Sequence, residues 1–189
     1  MKTEPIRDVR KVKKLIGHLD KNYLPRDAML FRLGVNTALR ISDLLKLRYC
    51  DLITEKGNFK EYVDLREKKT KKSKKIALND KIKPVLKDYF NHYDMKDRDH
   101  LFFNYHNPKQ SISRVQAWRI LSPAAESCGI ENFGTHSMRK TFAYHLYQAN
   151  KSIAEVMDVL NHKSPLVTMK YIGIHQDQVD KAYQDIYFG

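Results

Sequence analysis

Leu160-Asn161-His162-Lys163-Ser164-Pro165-Leu166-Val167-Thr168-Met169-Lys170-Tyr171-Ile172 is the stretch on which the reading of this chain turns. Ser152 is expected to begin a helix with Ile153, Val156, Met157 and Leu160 inward. Ser164-Pro165 then opens a second, short helix that holds Tyr171 nine residues after His162. Working outward, His136-Ser137-Met138-Arg139 follows Thr135, a natural helix cap. His136 and Arg139 are three apart, so they share a helix face. They also sit in a first turn, where free N–H groups and the helix dipole favour an anion. Far upstream lies Thr37-Ala38-Leu39-Arg40-Ile41-Ser42-Asp43-Leu44.

Two arginines, two histidines and a tyrosine in this order are what phosphoryl transfer to a phenol requires. Opening a phosphodiester without a metal needs a nucleophile, positive donors on the non-bridging oxygens, and an acid for the leaving alkoxide. Arginine is planar, permanently charged and bidentate toward phosphate, which makes Arg40 and Arg139 the clamp candidates. A phenol of pKa about 10 needs nearby positive charge to attack at neutral pH. The arginines and His162 can supply it to Tyr171. Taken singly, each feature has a plainer reading: most of 35 basic residues are surface groups, and most of 11 tyrosines are packing residues.

Composition points the same way. The net charge of +13 over 189 residues favours a polyanion, with nucleic acid the first candidate and an anionic membrane surface the second. No apolar run is long enough to cross a membrane, and the N-terminus lacks a signal-peptide core. Two cysteines, Cys50 and Cys128, fit a reducing cytoplasmic setting.

The rest of the chain reads as mainly helical with one small sheet. Asp8 caps a helix to about Lys21, and Pro25 starts a second; a short helix follows Arg40. Leu47 to Ile53, Tyr62 to Leu65 and Lys75 to Leu78 alternate as strands, giving an expected three-stranded antiparallel sheet. Between the last two lie Lys68, Lys69, Lys71, Lys72 and Lys74, which with Lys75 make six lysines in eight residues. Such a run is usually a solvated hairpin tip, but a basic hairpin also fits a DNA groove. Helices are then expected from Asn79 or Asp80 to Tyr93, Ser113 to Cys128, Thr135 to Ala149, and Gln176 to Tyr187, with residues 94–110 as a polar loop. Asn150 is expected to take the left-handed conformation of a helix stop.

Together these segments resemble the catalytic domain of the tyrosine recombinase (phage integrase) family. Ala38 to Leu44 is similar to its first arginine box, Lys69 to Leu78 to its β-hairpin, and His136 to Ala143 to its HxxR box. Leu160-Asn161-His162 is similar to its L-G-H element and Thr168 to Ile172 to its tyrosine segment. Asn161 stands where the family usually has glycine, and asparagine is the next-best residue for a left-handed turn.

The resemblance implies an α+β, mainly helical fold and a site-specific DNA recombinase. Tyr171 would form a 3′-phosphotyrosyl link and free a 5′-hydroxyl. Arg40 and Arg139 would hold the phosphate, Lys69 would protonate the leaving oxygen, and His136 would act as acid–base partner. His162 would hydrogen-bond the phosphate, and Asp43 would orient the site. Lys68, Lys71, Lys72, Lys74 and Lys75 would bind DNA. No metal, ATP or other cofactor is implied. The partners implied are double-stranded DNA and further copies, a homotetramer on DNA and a monomer when free, as expected of a mobile-element enzyme.

The chain reads as a single catalytic domain over 1–189. Only 39 residues precede Arg40, so the family's usual N-terminal core-binding domain is expected to be absent. That leaves a naturally short recombinase, part of a longer protein, or a remnant with a weak grip on DNA. A type IB topoisomerase shares the chemistry, but the short chain and the spacing from Leu160 to Tyr171 favour the recombinase. A non-catalytic DNA-binding regulator on the same fold would not need the six candidate catalytic residues. An RNA-binding protein would want an aromatic RNP-type motif, which is lacking.

Overall fold

The computed structural model describes residues 3–66, 73–150 and 152–187. Among the described residues the chain is mainly helical. Helix α1 (Val9–Asn22) starts as expected at Asp8, whose carboxylate accepts the Arg10 backbone N–H at 2.8 Å. Its Leu15 and Leu19 are fully buried. Helix α2 (Pro25–Thr37) has proline in its first turn, where no N–H is needed, and ends at Ala38 with a left-handed φ of 51°. Two four-residue helices follow, α3 (Ile41–Leu44) and α4 (Tyr49–Leu52). Later come α5 (Lys83–His92), α6 (Arg114–Ser127), α7 (Thr135–Asn150), α8 (Ile153–Leu160), α9 (Pro165–Ile172) and α10 (Ile174–Gln184).

The expected three-stranded sheet is replaced by two hairpins. Strand β1 (Tyr62–Arg66) pairs antiparallel with β2 (Ser73–Ala77), placing Val63 opposite Ile76 on the buried side. The stretch from Leu47 to Ile53 is not a strand. The Asp51 carboxylate accepts the Arg48 N–H at 2.8 Å and closes a helical turn. Only single bridges remain on either side, Arg48 to His100 and Ile53 to Phe59. Within the expected polar loop, β3 (Phe103–Asn104) and β4 (Asn107–Ser111) form the second hairpin.

Two clusters of buried apolar residues meet on α7. The larger gathers α1 to α6 and includes Met138; the smaller joins Ala143 to Val156, Leu160, Ile172 and Ile174. Gly34 of α2 permits the close crossing of α2 over α7, since a Cβ there would lie 2.5 Å from the Met138 sulfur. Asn161 adopts φ 52°, the left-handed turn expected of it, so the chain reverses sharply between α8 and α9. Asn150 differs from expectation: it is the last residue of α7, but Ala38, Asp94, Asn132 and Asn161 are the described non-glycine residues with positive φ. No described helix is long and apolar enough to cross a membrane.

Candidate active site

Arg139 organises the site from the seam between the two cores. It is 2% exposed. Its Nη1 donates to the Ala38 carbonyl at 2.6 Å and its Nη2 to the Leu160 carbonyl at 2.7 Å. Both carbonyls lie at helix C-termini, where orphan acceptors and the negative dipole end attract a cation. Each also lies two residues before a candidate residue: Ala38 before Arg40, Leu160 before His162. One buried guanidinium therefore ties the turn that presents Arg40 to the turn that presents His162. Two of its five N–H donors serve these carbonyls. The group also lies within hydrogen-bonding reach of the Tyr171 phenol.

Tyr171, on the last turn of α9, is half-buried. Burial pushes its phenol above the usual tyrosine value, and the charges of Arg139 and Arg40 pull in the opposite direction. Its ring meets the His162 ring edge-on, with centroids 5.2 Å apart and planes at 86°. Thr168, fully buried one turn before Tyr171, donates its hydroxyl hydrogen to the Ser164 carbonyl at 2.8 Å. With that hydrogen spent, its oxygen accepts from Nδ1 of His162 at 3.2 Å. The other ring nitrogen, Nε2, is then an acceptor in the neutral ring and a second donor when protonated.

Thr135, expected as the cap, is instead the first residue of α7, and His136 follows it with its outer edge exposed to solvent. Burial of its inner side pushes its pKa below the usual histidine value, and Arg139, Lys140, Arg40 and Arg114 add to the fall. At neutral pH its ring is uncharged and can accept a proton. Asp43 is 4% exposed on α3, with its backbone N–H on the Arg40 carbonyl at 2.8 Å.

The structure thus gathers Arg40, Arg139, His162 and Tyr171, and places His136 in the same positive field. Lys68, Lys69, Lys71 and Lys72 lie outside the described residues. Lys74 pairs with Leu65 through the backbone in the basic hairpin; Lys75 is exposed, with its Nζ 6.0 Å from the Tyr62 ring centroid.

Two participants escaped the reading of the sequence. Lys140, 7% exposed, places its Nζ 5.1 Å from the Tyr171 ring centroid. Arg114, at the start of α6, reaches His136 electrostatically. The position of Lys140 one helical turn after His136 was the available signal, but among so many lysines it does not stand out.

Known proteins share both sequence and fold with the chain. It matches the phage integrase family over residues 8–178. It is 44% identical over 182 residues to the probable integrase/recombinase YoeC of Bacillus subtilis (strain 168), covering 96% of this chain and 95% of that protein. It is 28% identical to the tyrosine recombinase XerA of Pyrococcus furiosus, covering 92% of this chain but 58% of XerA. Among solved structures, XerH site-specific recombinase bound to a palindromic difH substrate superposes with a TM-score of 0.73 at 21% identity. That match covers 91% of this chain and 50% of XerH, and shows a shared fold.

Proposed function

The chain belongs to the phage integrase family, and from that premise we infer that it is a site-specific DNA recombinase acting through Tyr171. The observation that carries this reading is a half-buried phenol within hydrogen-bonding reach of Arg139 and in the field of Arg40, two arginines on separate elements. A scissile phosphate seated between Arg40 and Arg139 puts its non-bridging oxygens on guanidinium donors, which stabilise the charge of the transition state. The Tyr171 oxygen bonds to phosphorus, and the bond from phosphorus to the 5′ oxygen breaks. His136, neutral in its positive surroundings, takes the phenol proton. Lys69 gives a proton to the departing 5′ oxygen. His162, protonated beside the phosphate, donates through Nε2 to one of its oxygens, and Asp43 holds the Arg40 turn.

The phosphotyrosyl ester keeps the energy of the broken bond, so a second 5′-hydroxyl can reverse the step on another strand. Lys68, Lys71, Lys72, Lys74 and Lys75 serve as phosphate contacts, in keeping with the +13 charge. Exchange of strands requires several copies on DNA, and we assign a tetramer. The exposed Tyr183, Ile186 and Tyr187 near the end of the chain offer an apolar edge for contact between copies.

The test is covalent trapping. Duplexes with randomised cores, nicked so that the cleaved fragment diffuses away, are incubated with the chain, and protein-linked DNA is recovered and sequenced. The wild-type chain yields adducts and Tyr171→Phe yields none, while Tyr171→Phe still binds the recovered duplex. An adduct formed by Tyr171→Phe would refute the assignment.

A further inference from the structure

We propose that the N-terminal strap, residues 3–7, and Lys140 hold the nucleophile helix in its attacking position, with Arg7 and Lys140 as positioning residues. This rests on the reading of Tyr171 as nucleophile.

The strap is laid across α7 by specific bonds. Glu4 N–H donates to the Asn132 carbonyl at 3.2 Å, just ahead of α7. Ile6, 3% exposed, gives its N–H to the Thr141 hydroxyl at 2.9 Å, and its carbonyl meets Nε2 of His145 at 3.0 Å. The Arg7 guanidinium lies 5.5 Å from the Tyr144 ring centroid.

Two grips run from this strap to the tyrosine helix. Nη2 of Arg7 donates to the Gly173 carbonyl at 2.8 Å, at the C-terminus of α9, where the helix dipole favours a cation. Nζ of Lys140 donates to the Thr3 carbonyl at 2.6 Å while lying over the face of Tyr171. The lysine is thus pinned at its tip by the strap and presents its charge to the ring, a cation–π contact. Arg139 and Arg40 act on the phenol oxygen, whereas Lys140 acts on where the ring lies.

Gly173 supports the same arrangement. Its φ is 79°, and a Cβ there would lie 3.1 Å from Nη2 of Arg7 and 3.3 Å from a Glu4 carboxylate oxygen. The strap therefore passes directly against the residue that ends α9.

The helix needs outside support. It has eight residues, too few for independent stability, and Leu166 and Val167 on its first turn are exposed. Inward it buries Thr168 and Ile172. In-line attack tolerates little error, since a misplacement of about 1 Å can cost about a hundredfold in rate.

The experiment compares single-turnover adduct formation at saturating protein with equilibrium binding. Both use one nicked duplex recovered from the randomised pool, at about pH 8 so that His136 is neutral in every variant. Lys140→Met is expected to slow adduct formation by about tenfold to a hundredfold, with affinity for the duplex essentially unchanged. Lys140→Arg, which keeps both cation and donor, restores most of the rate. Arg7→Gln, at an exposed position, slows the step by less, and Arg7→Gln with Lys140→Met is slower than either.

Wild-type rates in both Lys140→Met and Arg7→Gln would overturn the proposal. So would a loss of rate in Lys140→Met that is matched by lost binding and shared equally by Lys140→Arg, because that pattern marks a structural lysine. An adduct that forms in Tyr171→Phe would instead break the underlying nucleophile assignment.

Discussion

Replacing Arg139 by methionine tests the claim that one buried cation assembles the site. Methionine keeps much of the arginine's length but donates nothing. The carbonyls of Ala38 and Leu160 then lose partners at 2.6 and 2.7 Å in a buried setting. Each unmet acceptor costs about 1–3 kcal/mol. Removing a buried cation returns part of that, because its desolvation no longer opposes folding. A net loss of about 2–4 kcal/mol follows, or a fall of about 5–15 °C in the melting midpoint for a domain of this size. Arg139→Lys, whose ammonium cannot span both carbonyls in the same way, should fall about midway.

The electrostatic consequences have definite signs. After burial, Arg139 is the strongest influence holding the His136 pKa down, so its loss lets that histidine titrate closer to its ordinary value. The Tyr171 phenol moves further up, since the same guanidinium restrains it. Thermal unfolding followed by circular dichroism gives the stability, and NMR titration of the His136 ring gives the pKa change. Adduct formation should be undetectable. A melting midpoint within about 2 °C of wild type, or a His136 pKa that stays put, would refute the reasoning.

The rate of adduct formation should drop on the acid side with a midpoint below about 6.5, because burial and four cations keep His136 neutral to lower pH. A rate in His136→Gln equal to that of wild type across the pH range would remove His136 as base. The same shift makes its contribution to stability climb with pH between its lowered folded pKa and the ordinary value, where the unfolded chain binds more protons. Gly34→Ala drives a Cβ to 2.5 Å from the Met138 sulfur and should cost about 1–3 kcal/mol by chemical denaturation. In a Met138→Ala background that penalty should vanish; if it persists, the α2–α7 crossing is not its cause. Gly173→Ala meets both a positive φ and the strap, and should lower stability by about 1 kcal/mol or more while slowing adduct formation. Unchanged rate and stability would show that the end of α9 has room to adjust.

Local punctuation was legible in the sequence because its physics is local. Asp8, Ser113, Ser152 and Ser164 each accept a backbone N–H at the helix start they mark. Asn161 takes the left-handed turn that its short amide side chain tolerates. Where packing decides, the pattern misled. Leu47 to Ile53 alternates like a strand, yet Asp51 closes a turn of helix there. The hairpin of β3 and β4 lay concealed in a polar stretch whose Asn107, Pro108, Lys109 and Gln110 are exposed.

The order and spacing of Arg40, His136, Arg139, His162 and Tyr171 therefore belong to the sequence, and with them the family and the kind of chemistry. Candidates for a nucleophile, its clamp and its base can be named from the order of these side chains and the family they resemble. What tertiary structure decided is how they are held. No spacing rule connects Arg139 to carbonyls 101 and 21 residues away, or Lys140 to the Thr3 carbonyl 137 residues away. Those bonds exist because α2 crosses α7 at a glycine and the chain reverses at Asn161, which brings distant carbonyls to one buried seam. Hydrogen bonding and burial act across space, so the support of Tyr171 could be read only once the helices had packed.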